Sequence, residues 1–120
     1  MKNDALKLRT KQFALRIIKL VESLPPEQTC KVLGRQLLRA GTSVGANYRA
    51  ACRSKSAADF ISKMRIVEEE ADESGYWMEL LVEAGKIKEI KIAALMQKAG
   101  ELTAIAISSI NTAKKSTMRR

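Results

Sequence analysis

Glu69, Glu70 and Glu73 form an E-E-x-x-E pattern in this 120-residue chain. On a helix that spacing gathers carboxylates over one turn, an arrangement able to hold Mg²⁺ through oxygen ligands. The rest of the chain gives such a site little to work with. Histidine is absent, which removes the commonest general base, the commonest metal ligand and every Ser-His or Cys-His dyad. A structural role competes with the metal role. Glu70 and Glu73 interleave with the apolar Ile66 and Trp77, where carboxylates are costly to bury unless arginines at a helix or subunit contact pair with them.

The acidic pattern resembles the metal-binding helix of the all-α nucleotide pyrophosphohydrolases, which are also helical bundles. That family needs a second acidic pair, typically E-x-x-D, on a following helix, and here only the isolated Glu89 and Glu101 follow. A Mg²⁺-dependent hydrolase using Glu69, Glu70 and Glu73 is therefore the lesser alternative. The expectation is a non-catalytic protein with no cofactor, no metal and no small-molecule substrate. Cys30 and Cys52 add no redox chemistry: on one continuous helix their 22-residue separation amounts to roughly 33 Å, far beyond the reach of a disulfide. Both read as small buried hydrophobes in a reducing compartment.

Binding to a polyanion is better supported. At 100° per residue, Lys31 and Arg49 project in the same direction, Arg35 and Arg53 lie about 40° further round and Arg39 about 80°. Five cations thus share one stripe able to contact successive phosphates. Lys114, Lys115, Arg119 and Arg120 extend the positive charge in a tail expected to be disordered over 114–120. Base readout is not expected, because only five aromatics exist and Phe13, Tyr48 and Phe60 belong to apolar seams, leaving no stacking platform. Two other readings of the stripe are a solvated helix face and a steering surface for an acidic protein partner.

Four helical stretches must position these residues within a single domain spanning 1–120. The first covers about Asp4 to Leu24, with Leu6, Phe13, Ile17, Leu20, Val21 and Leu24 on one side at the 3.6-residue period; Pro25 and Pro26 end it. The second covers about Glu27 to Arg53, with Cys30, Leu33, Leu37, Val44, Tyr48 and Ala51 inward and Gly34, Gly41 and Gly45 at the edge of that side. Ser56 offers an N-cap to the third, about Ala57 to Ala84, whose seam is Phe60, Met64, Val67, Ala71, Ser74, Met78 and Leu81. Gly85 is a natural stop. The fourth, about Lys88 to Ala113, carries Ile92, Leu95, Met96, Ala99, Leu102, Ala106 and Ile110. Alternating three- and four-residue spacings with short connections predict an all-α, antiparallel up-down-up-down four-helix bundle.

Two features predict a homo-oligomer. The third stretch has a second apolar arc of Ile66, Trp77 and Leu80, threaded by Glu70 and Glu73. The outer side of the fourth carries Ile90, Ala94 and Ile105 with few charges. Soluble monomers generally avoid such patches. The net charge of +9 is also segregated: residues 1–65 hold 14 basic and 4 acidic residues, 66–86 hold 1 and 7, and 87–120 hold 7 and 2. An acidic block of this kind is suited to neutralising basic surface on a neighbouring helix or subunit. The first 22 residues lack the continuous apolar block and cleavage site of a secretory signal. No window approaches a membrane span, so a cytoplasmic location with no membrane partner is expected.

AGTSVGANYRAACRSKS at 40–56 and DFISKMRIVEEEADESGYWMELL at 59–81 together resemble the bacterial four helix bundle protein family, also called the 23S ribosomal RNA intervening-sequence proteins. The G-T-S-x-G-A-N, D-F-I-x-K and E-E-A-x-E-S-x-Y-W segments follow in that family's order and spacing, with Ser74 and the Tyr76-Trp77 pair at matching positions. The resemblance implies a closed four-helix bundle. It also implies assembly into a ring, since similar proteins include a pentameric accessory protein of diversity-generating retroelements, implicated in binding reverse transcriptase and nucleic acid. It implies no catalytic activity. The family name records reading frames inside ribosomal RNA insertions, a genomic location rather than a ribosomal role.

Overall fold

The computed structural model describes residues 2–118, with side chains from residue 4 onward. Four helices make up the fold: α1 (Lys2–Glu22), α2 (Gln28–Ala51), α3 (Ala57–Glu83) and α4 (Glu89–Met118). Their ends follow local chemistry. At the end of α1, Ser23 donates its hydroxyl to the Leu20 carbonyl at 2.7 Å, and the prolines beyond bar further turns. The helix therefore stops at Glu22, two residues short of the expected Leu24. Ser56 caps α3 by accepting the Asp59 N–H at 3.1 Å, and the Asp59 carboxylate in turn accepts from the Lys55 N–H at 3.3 Å. At the other end of α3, Gly85 adopts φ +74°, while the Lys86 N–H reaches the Leu81 carbonyl at 2.9 Å and the Gly85 N–H reaches Val82 at 3.0 Å. This is a Schellman ending, which glycine enters without the steric cost of a Cβ.

Two further boundaries are corrected. The second helix, expected to run to Arg53, ends at Ala51 and leaves Arg53 in the turn that follows. The basic tail expected to be disordered from 114 continues as helix through Met118, because Ala113 to Met118 contains no helix breaker and Thr117 returns its hydroxyl to the Ala113 carbonyl at 2.9 Å. Arg119 and Arg120 lie outside the described residues.

The predicted seams form one core. Phe13, Ile17, Leu37, Val44, Met64, Ala71, Met78, Leu81, Leu95 and Ala106 are all buried within it. Each helix packs on its sequence neighbours, and α1 touches α4 lightly, closing an elongated bundle of 53 × 23 × 20 Å. Among the described residues the diagonal pairs α1/α3 and α2/α4 make no close backbone approach. Directions are fixed by what each α2 glycine faces. Gly34 lies against Val21 and Leu24, Gly41 against Ile17 and Gly45 against Thr10, so α2 runs antiparallel to α1. A Cβ on Gly41 would sit 2.8 Å from Ile17 Cγ1, so this glycine sets how closely the two helices approach.

Candidate nucleic-acid interface

Lys31, Arg35, Arg39, Arg49 and Arg53 are all exposed, so the stripe lies on the surface of the protomer. The burial of Cys30, Gly34, Leu37, Gly41, Val44 and Tyr48 on the opposite side of α2 turns it outward. Thr42, Ser43 and Asn47 each donate a hydrogen bond to a carbonyl of their own helix. Thr42 donates to the Leu38 carbonyl at 2.7 Å, Ser43 to Arg39 at 2.6 Å and Asn47 to Ser43 at 2.8 Å. The G-T-S-x-G-A-N segment is thus a packing element whose polar side chains are satisfied by their own helix.

Within the stripe the arginines divide. Arg39 sits at the α3 edge, where Nη1 donates to Glu70 Oε2 at 2.9 Å and Nη2 donates to Glu73. Lys31, Arg35, Arg49 and Arg53 have no carboxylate partner among the described residues. On the α1 edge, Arg49 shares with Lys7 and Lys11 a groove of about 550 Å³, lined also by Thr10, Gly45 and Leu8. Sequence reading missed Lys7 and Lys11. Their i, i+4 spacing on the flank of the Thr10–Ile17 seam was the available signal. A second basic groove runs between α1 and α4, where Arg16 lies between Arg9 and Lys98 on one side and Lys19 and Lys91 on the other. Arg9 is neutralised there by Glu101 at 2.9 Å.

The acidic residues are placed differently from a metal centre. Glu70 and Glu73 converge on the Arg39 guanidinium, and Glu69 points to solvent. Among the described residues no group of three His, Cys, Asp or Glu side chains is arranged to hold a metal ion. Of the other residues in the second apolar arc, Ile66 is exposed, Leu80 is half-buried and Trp77 packs partly on the core. The Trp77 Nε1–H is buried without a hydrogen-bond partner.

The groups with shifted pKa values belong to caps, core and loop contacts. The Lys86 ammonium, 2.9 Å away, lowers the Glu27 carboxyl by hydrogen bond and charge, and Glu27 raises Lys86 in return. The hydrogen bond from Lys63, with that from the Lys55 backbone, lowers Asp59. Burial raises the Cys30 thiol, and burial with the neighbouring Cys52 raises the Tyr48 phenol.

The family model for 23S rRNA-intervening sequence proteins matches residues 4–108, which takes in all of α2 and α3 and most of α1 and α4. The chain belongs to this family. A crystal structure of a protein of unknown function from the S23 ribosomal protein family of Bacteroides thetaiotaomicron VPI-5482 is similar to it, with a TM-score of 0.84 and 39% identity over 92% of this chain and 99% of that one. No curated protein matches the chain. This member of the family therefore shares its bundle with a relative of unknown function. Among its described residues no helix is long and apolar enough to cross a membrane.

Proposed function

We propose that this chain is a non-catalytic, homo-oligomeric helical scaffold of the cytoplasm that binds RNA or DNA through the phosphate backbone. The observation that carries the reading is the exposure of Lys31, Arg35 and Arg49 on one face of α2, with Arg53 exposed in the turn just past its end and none of the four paired with a carboxylate among the described residues. Lys7 lies across the α1 groove from Arg49. Such a row attracts any polyanion and reads no base, because the aromatic rings that could stack are in the core or on α3. Arg39 contributes less to this surface than its neighbours, since Glu70 and Glu73 already hold it. The ring assembly, a pentamer by family resemblance, would present several copies of the stripe together.

Charge reversal tests the reading. Arg35→Glu and Arg49→Glu should each weaken binding to unrelated RNA and DNA sequences by similar factors. Unchanged affinity in both variants would remove the stripe from the interface. A second reading, an acidic protein partner, is favoured by the exposed Leu38, which lies among these cations where nucleic acid offers nothing apolar to cover it. On that reading a stoichiometric protein complex survives nuclease treatment and is lost in Leu38→Asp.

A further inference from the structure

The charge segregation of the sequence maps onto a diagonal of the bundle. Lys2–Glu22 carries six basic and two acidic residues, and Ala57–Glu83 carries two basic and eight acidic ones. These two helices, α1 and α3, make no close backbone approach within the protomer among the described residues. Each carries a strip of exposed residues on its outer side, that of α1 bordering α2 and that of α3 bordering α4. On α1 it contains Leu8 and Leu15, 55% and 54% exposed, with Lys11 and Lys19. On α3 it contains Tyr76, 52% exposed, with Glu69, Asp72 and Glu79. Lys11, Lys19, Glu69, Asp72 and Glu79 form no ion pair among the described residues.

We infer that the outward strip of α1 docks on the outward strip of α3 of a second copy of this chain. The inference rests on the self-assembly half of the proposed function and supplies its surface. Three positions on each strip share their intervals, with opposite signs where both are charged, while Leu8 falls opposite Glu69. Asp4, Lys11 and Leu15 on α1 are spaced as Arg65, Asp72 and Tyr76 are on α3. A parallel register that sets Leu15 against Tyr76 therefore sets Lys11 against Asp72 and Asp4 against Arg65, with Lys19 one turn on beside Glu79. Exposed leucines among lysines argue for a protein occupant rather than nucleic acid, because phosphates satisfy the charges and leave the leucines in water. Since the strips lie on opposite edges of one bundle, the contact is heterologous. Each copy offers a free α1 to the next, and the result is a ring if the rotation closes or a filament if it does not. The α1 strip borders the groove that Lys11 and Leu8 share with Arg49, so docking there narrows that groove.

The test is a charge swap read by light scattering. Lys11→Glu/Lys19→Glu makes the α1 strip acidic, and Asp72→Lys/Glu79→Lys makes the α3 strip basic. All four positions are solvent-exposed, so both variants should retain wild-type helicity by circular dichroism. Each alone should fall from a multiple of 13.3 kDa to the monomer mass, and a single chain carrying all four changes, whose α1 is acidic and α3 basic, should reassemble. An oligomeric wild type whose variants keep its mass would overturn this surface and leave self-assembly standing. A monomeric wild type would overturn both.

Discussion

Arg39 and Glu70 meet across the α2–α3 seam at 2.9 Å, with the arginine side chain half exposed and the glutamate side chain only 14% exposed. The carboxylate is the member that needs the contact, since it has given up most of its water and the guanidinium has not. Removing the arginine strands a largely buried charge. Arg39→Ala should therefore lower stability by about 1–2 kcal/mol, allowing for screening of the half-exposed partner. The same change should weaken nucleic-acid binding less than Arg49→Ala does. Urea denaturation and a binding titration on the same preparations check both halves.

The opposite assignment could not be reached from one helix. An angular plot of α2 puts Arg39 in the stripe because it shows only direction around that helix. Which arginine meets Glu70 and Glu73 depends on the axial register of α3 against α2, a tertiary quantity. The buried seams were legible for the converse reason: Ile17, Leu37, Met64 and Leu95 repeat at the helical period within their own segments. The diagonal placement of basic α1 and acidic α3 was half visible, as a change of sign along the chain, and needed the packing order to become a surface. The helix through Lys114 and Lys115 has no apolar seam to announce it, and only the absence of a breaker between Ala113 and Met118 allows it.

Glycine substitutions should separate packing from propensity. At Gly41 a Cβ meets Ile17 Cγ1 at 2.8 Å and Cγ2 at 2.9 Å. Gly41→Ala should therefore destabilise by about 1–2 kcal/mol despite alanine's better helix propensity. At Gly100 nothing lies within 4 Å of the added atom. There the propensity gain is unopposed, and Gly100→Ala should stabilise the isolated protomer by up to about 1 kcal/mol. Thermal or urea unfolding of the two variants gives opposite signs.

Gly85 supplies a third contrast. Its φ of +74° is one an L-residue adopts only with strain, and no neighbour crowds the position. Gly85→Ala should cost about 1–2 kcal/mol through the backbone alone. Gly85→Asn should recover part of that loss in the same unfolding assay, since asparagine tolerates the left-handed region.

The Glu27–Lys86 contact ties the start of α2 to the α3–α4 connection and sets a pH window. Glu27 is lowered from its ordinary 4.5, so its share of the stability is present above that value and is lost as acid protonates the carboxylate below it. Lys86 is raised from its ordinary 10.5, so its share is present below that value and fades as the pH climbs past it. The pair therefore holds between those limits. Replacing Glu27 with Gln should flatten the decline in melting temperature on acidification below pH 4.5, and an unchanged acid limb would show that the contact does not contribute.

The most direct measurement of the central claim is the affinity of the wild-type protein for a labelled duplex of arbitrary sequence, followed by fluorescence anisotropy across a salt titration. Four phosphate contacts, from Lys31, Arg35, Arg49 and Arg53, should give a straight log–log plot with a slope of roughly −3.6, at about −0.9 per contact. A shuffled duplex should give the same line. Absence of binding at low salt, or an affinity indifferent to salt, would contradict the claim that this bundle holds nucleic acid by its backbone.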